Sequence, residues 1–168
     1  YYPGKQDDDD FETVVLYADH PTTQSVEKIW NDNDNQDGVR PESIQVQLLA
    51  NNKKYEAEGI TNPVTLNEEN DWKYTWSNLP KKANGEDIVY TIEEVGEVAG
   101  YTVESTVEGN KTTITNTHLA ETTEKEVEKI WNDNNNQDGV RPESIQVQLL
   151  ANNKKYEAEG ITNPVTLN

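Results

Sequence analysis

Residues 28–67 read KIWNDNDNQDGVRPESIQVQLLANNKKYEAEGITNPVTLN, and the same run returns at 129–168 with one change, Asp34 becoming Asn135. The offset, from position 28 to position 129, is 101 residues. A repeat this long is one whole small domain rather than a solenoid unit. The second copy stops partway, so the chain reads as a slice of a tandem array. The expected organisation is a complete module at 24–118, a polar linker at 119–126 (LAETTEKE) and the start of a second module at 127–168. Residues 1–23 stand outside the repeat and read as a linker or the tail of an upstream domain, with strand composition at Phe11–Tyr17. Repetition of this kind suits a spacer and weighs against an enzyme.

The formal charge of −18 excludes several partners. Nucleic acid binding needs basic clusters, and an anionic membrane surface would repel this chain. There is no cysteine, hence no disulfide staple, and the isolated His20 and His118 make no zinc pattern. No cofactor is implied. Apolar content is low, yet four Trp, eight Tyr and many Val and Ile residues recur in short runs, which fits a thin β-core.

Within the module the period is two. Val26, Lys28 and Trp30 share one strand face, as do Ile44, Val46 and Leu48. Trp72, Tyr74 and Trp76 follow, then Ile88, Tyr90, Ile92 and Glu94, then Val103, Ser105 and Val107, then Ile114, Asn116 and His118. Turn signals separate these runs: Asp37-Gly38, Arg40-Pro41, Asn51-Asn52, Asn62-Pro63 and Asn84-Gly85. About seven short strands at such spacing predict an all-β antiparallel sandwich.

Three residues break the alternation. Lys28, Glu94 and Asn116 each fall on an apparent core face. Burying a Lys or a Glu is costly unless it is paired or neutralised. Three readings follow from the residues alone. The alternation is misread and the groups face water; or Lys28 and Glu94 form a buried ion pair of small net worth; or the three react. In the last, desolvation lowers the Lys28 pKa, a protonated Glu94 polarises the Asn116 carbonyl and shuttles protons, ammonia leaves, and an isopeptide bond joins Lys28 to Asn116.

The ordered motifs KIWNDNDNQDGVRP, QVQLL, WKYTWSNLP, IVYTIEE, GYTV and ITNTH resemble the B-type domain of the collagen-adhesin family of Gram-positive surface proteins, over residues 26–118. The resemblance implies an inverse immunoglobulin-like sandwich of the CnaB type, in tandem repeats that form stalks. It implies a spontaneous Lys–Asn isopeptide bond assisted by an acid, with Lys28 two residues before the first-strand Trp, Glu94 as the acid and Asn116 in the I-T-N-T strand. Glu93 is the rival acid and by alternation faces the other way. The implied place is extracellular and cell-wall-anchored, with the anchor signal outside this stretch. Adjacent repeats are the implied partners, and a host matrix ligand is bound by another domain. Two alternatives stay open: a repeat that itself binds a host matrix protein, and a calcium-stabilised spacer.

Asp32, Asp34 and Asp37 are weak calcium candidates in the NDNDNQDG run, but Gly38 misses the sixth position and no Glu stands at the twelfth. An Asx-rich turn explains the run as well. Lys129 repeats the nucleophile of VEKIW, while its acid and Asn partners would fall beyond residue 168. Strand exchange with a neighbouring molecule is one way to cover the exposed strands of such a half-module.

Overall fold

The computed structural model describes residues 21–168, which divide after Glu121 into two compact units. Phe11–Tyr17 and His20 lie outside the described residues. The first unit carries β1 (Thr22–Asn31), β2 (Ser43–Ala50), β3 (Lys53–Lys54), β4 (Val64–Asn67), β5 (Lys73–Leu79), β6 (Lys82–Ala83), β7 (Glu86–Asp87), β8 (Tyr90–Glu94), β9 (Thr102–Glu108) and β10 (Lys111–Thr117). Seven of these are longer than two residues, and they build two sheets. One has the order β5-β1-β10-β9; in the other β2 is central, with β4 and β8 paired to it.

Period-two alternation produces the sandwich. Val26 and Lys28 of β1, Ile44, Val46 and Leu48 of β2, Val64 and Leu66 of β4, Trp76 and Leu79 of β5, Ile92 of β8 and Ile114 of β10 all turn inward. Gln45 and Ile29 take the outer faces. On the outside of the first sheet, Glu27 lies between Lys73 and Lys111 and ties β1 to both of its neighbours. Among the described residues all the strand pairs are antiparallel except one. β1 and β10 run parallel, from Ser25 opposite Lys111 to Asn31 opposite Thr117. Parallel neighbours need a long connection, and here it is the rest of the domain.

The Asx residues of the loops are backbone chemistry. Asn33, Asp34 and Asn35 take three successive left-handed conformations (φ 52°, 56°, 57°), which Asn and Asp tolerate better than other side-chain-bearing residues. Asn51-Asn52 (φ 49°, 64°) makes the tight turn between β2 and β3. Asn62 serves differently. Its side-chain carbonyl accepts from Leu48 N at 2.8 Å, while its amide donates to Leu48 O and Tyr55 O, both at 2.8 Å. It replaces a missing strand at that edge of β2.

Two details depart from the simple alternation. Trp72 precedes β5 in a left-handed turn (φ 58°) that it shares with Asp71, and it packs against the core from there. The turn is entered by a short 3-10 segment at Glu68–Asn70, capped reciprocally by Asn67 and Asn70. Val103, Ser105 and Val107 do share a face, since they pair with Asn116, Ile114 and Thr112. They remain exposed on β9, the edge strand of its sheet.

The second unit forms β11 (Ile145–Val147) with β14 (Val165–Leu167) and β12 (Leu150–Ala151) with β13 (Lys154–Lys155). Residues 127–131, identical to 26–30, form no strand there. Their counterparts in β1 are held by β5 and β10, and residues 127–168 contain no equivalent of either. We expect Asn62→Ala to destabilise the first module by about 1–3 kcal/mol, the cost of orphaning partly buried backbone groups. Urea denaturation of that variant beside Lys81→Ala, at an exposed bend, should show the loss only at Asn62.

Candidate functional site

β1 and β10 deliver two side chains to one place. Lys28 stands opposite Ile114 and Trp30 opposite Asn116, so Lys28 and Asn116 are near neighbours on the inner face. Lys28 is 4% exposed and Asn116 is 1%. The backbone N–H of Lys28 donates to Trp72 O at 2.8 Å, which pins β1 at that point. Glu94 arrives from the opposite sheet, at the end of β8 and paired with Val46. Glu93 points away and accepts from Gln47 at 2.5 Å.

The three side chains meet. Lys28 Nζ is 3.4 Å from Glu94 Oε2, and Asn116 Nδ2 donates to Glu94 Oε1 at 3.1 Å. Lys28 Nζ, Glu94 Oε2 and Asn116 Oδ1 have no aligned hydrogen-bond partner, although all are shut away from water. The lysine amine and the carboxyl therefore touch without an aligned hydrogen bond. Burial pushes the Lys28 amine down to about 8, with Glu94 first and then Asp32 opposing that shift. An amine so placed is neutral far more often than a surface lysine. Glu94 faces the amide nitrogen of Asn116, the group that would have to leave in any attack on its carbonyl carbon.

Sequence reasoning missed the surroundings of this cluster. Lys28 Nζ sits 4.3 Å from the centre of the Trp30 ring, and the Arg40 guanidinium 5.7 Å from the same ring. Trp72 and Tyr101 meet Trp30 edge-on at 5.3 and 5.1 Å. Behind them Asp32, 2% exposed, accepts from Arg40 Nε at 2.9 Å and Nη2 at 2.5 Å, from Asn35 N at 3.0 Å and from Tyr101 Oη at 2.8 Å. The bond from Arg40 is the main reason its carboxyl stays well below the usual range. The signal was present in the spacing: Asp32 and Arg40 bracket a loop closed by Gly38 and Pro41.

The calcium candidates are drawn apart. Asp32 is committed to Arg40 and Tyr101, while Asp37 accepts from His118 Nε2 at 2.8 Å and Glu121 N at 3.0 Å. Asp34 sits in the left-handed run of the loop. Among the described residues no group of three His, Asp or Glu gathers to hold a metal ion. Lys129 is exposed in its unit, 4.5 Å from the Trp131 ring centre, and among the described residues no acid pairs with its amine.

The structure thus sets Lys28 and Asn116 on the inner faces of parallel strands, with Glu94 reaching them from the facing sheet. The Cna protein B-type domain family matches residues 24–117 and again 125–167. The chain belongs to that family. It is 44% identical over 148 residues to a collagen adhesin of Staphylococcus aureus, covering 87% of this chain and 12% of that protein's length. The crystal structure of two B repeat units of the S. aureus collagen-binding protein aligns with a TM-score of 0.73 and 40% identity, over 88% of this chain and 36% of that one. A single B repeat unit of the same protein gives 40% identity and a TM-score of 0.49, over 88% and 71% respectively.

His118 lends itself to a pH test. Its ring donates to Gly100 O at 2.7 Å through Nδ1 and to Asp37 through Nε2, so both bonds call for the protonated imidazolium. Gly100 O is the first cause of its raised pKa and Asp37 the second. A raised folded-state pKa stabilises fully below the unfolded value of about 6.5, and the contribution is lost as pH rises through the higher folded value. NMR titration should place His118 above that value, and Asp37→Asn should bring it back down.

Proposed function

We propose that this chain is a stalk segment of a Gram-positive surface adhesin, each complete module locked by a bond between Lys28 and Asn116. The observation that carries this reading is the sealed cluster of Lys28, Glu94 and Asn116, whose three polar atoms lack aligned partners. A core that only needed stability would do as well with apolar residues there. Proton transfer from the Lys28 ammonium to Glu94 gives a neutral amine and a neutral acid, both cheaper to bury than the ions. The amine attacks Asn116 Cγ. Glu94 takes a proton from the attacking nitrogen and delivers one to the amide nitrogen it already faces. The C–Nδ2 bond breaks, ammonia departs, and Glu94 is left as the neutral acid, holding the proton that the Lys28 ammonium gave up. Each molecule reacts once on itself, so the chain is no enzyme in the usual sense.

Two similar proteins bear on the setting. One is named a collagen adhesin, and the two-repeat crystal structure comes from a protein described as a collagen binding protein. By analogy this chain is extracellular, its neighbours are further repeats, and the matrix ligand is held by another part of the whole protein. The strongly acidic composition fits a solvated spacer better than a ligand-binding repeat.

The first test is intact mass. The chain should weigh one ammonia less than its sequence, and digestion should yield a branched Lys28–Asn116 peptide. Full sequence mass would overturn the reading. Lys28→Ala and Glu94→Gln should both abolish the loss. By analogy with a disulfide closing a loop of roughly 90 residues, Lys28→Ala should cost about 4–5 kcal/mol, read as a lower Tm and faster trypsin cleavage.

A further inference from the structure

The second unit contains an unplanned control. Residues 127–168 lack counterparts of Glu94, Asn116, Tyr101, β5 and β10, yet Lys129, Trp131, Asp133 and Arg141 adopt the same local arrangement as Lys28, Trp30, Asp32 and Arg40. The amine lies 4.5 Å from the indole centre against 4.3 Å in the first unit, and the guanidinium 5.6 Å against 5.7 Å. Arg141 holds Asp133 through Nε and Nη2, as Arg40 holds Asp32. Asn136 N and Arg141 N close the loop as Asn35 N and Arg40 N do. What differs is burial: the side chain of Asp32 is 1% exposed and that of Asp133 is 28%.

We infer that Trp30, backed by the Arg40–Asp32 pair, is a positioning residue that aims the Lys28 amine before the strands bearing its partners close over it. This rests on the bond-forming reading above. The physical logic is local. Lys28, Trp30, Asp32 and Arg40 fall within one strand end and one loop, so their arrangement needs no long-range pairing. A cation over an indole face is attracted to it, and the bidentate Arg40–Asp32 fork fixes the far side of the ring. In the open state the ammonium rests on Trp30 in water. When β8 and β10 dock, the side chain is already directed, and desolvation converts ammonium to amine where Asn116 arrives. Orientation of this kind is worth orders of magnitude in rate, and about 1 Å of misplacement can cost 100-fold.

The test uses the chain of residues 1–168 made in a cell-free system, quenched in urea at intervals and scored by intact mass for loss of one ammonia. Trp30→Leu removes the π-face and should slow bond formation ~10–100-fold; Trp30→Phe should recover most of the rate. Arg40→Lys keeps the charge but loses the fork, and should slow it several-fold. The pH dependence separates the roles: aiming through the cation–π contact needs the ammonium, so the slowing in Trp30→Leu should shrink as pH rises through ~10.4, the ordinary lysine value, and slowing unchanged at that pH would defeat this inference. No mass loss in the unaltered chain defeats the bond reading itself. A normal rate in folded Trp30→Leu, checked by circular dichroism, defeats this inference alone; if that variant does not fold, a normal rate in Arg40→Lys does. The local half has its own readout. The ε-methylene protons of Lys129 should be shifted upfield by the Trp131 ring and return to ordinary values in Trp131→Leu; ordinary values in the unaltered chain would overturn local encoding.

Discussion

A lysine amine inside an apolar core costs several kcal/mol unless something answers it, and the first module is organised around that answer. Lys28 enters on β1, Asn116 lies beside it on β10, and Glu94 reaches across from the second sheet. To bring them together the first and last long strands must pair in parallel, both sheets must close, and the end of β8 must meet β10. Trp76, Leu48, Leu66 and Ile114 supply the apolar burial that holds the sheets together. The polar cluster supplies the register, since a slip of one residue would turn Lys28 to the solvent face.

Much of this was legible in the sequence. The alternation of Val26, Lys28 and Trp30, and of Ile44, Val46 and Leu48, fixed which faces turn inward, and the structure agrees. Lys28, Glu94 and Asn116 stood out because each broke an apolar pattern, and they are the three that meet. The parallel pairing of β1 with β10 was not legible, because alternation carries no information on which strand lies beside which. The exposure of Val103 and Val107 was hidden for the same reason. A correct face is buried only if the other sheet extends that far. Trp72 looked like a strand residue because its period fitted, yet Asp71 and Trp72 turn left-handed just before β5.

The repeat shows how far local sequence goes. Forty residues, identical but for one Asx exchange, keep their loops in both units: the left-handed run at 33–35 and 134–136, the Asn pairs at 51–52 and 152–153, and the bridges from Asn62 to Leu48 and from Asn163 to Leu149. They do not keep the first strand, which needs neighbours on both sides. Turn chemistry is encoded within a few residues, whereas a strand is a relation between distant segments.

The parallel pairing has a geometric consequence. Because β1 and β10 run in the same direction, the chain enters the module at one end of the sandwich and leaves at the other. The seven register pairs from Ser25 to Asn31 span six steps, an advance of ~20 Å at about 3.3 Å per residue. Tension applied at the two ends slides β1 along β10 lengthwise, so the ladder between them is loaded as a whole rather than peeled one bond at a time.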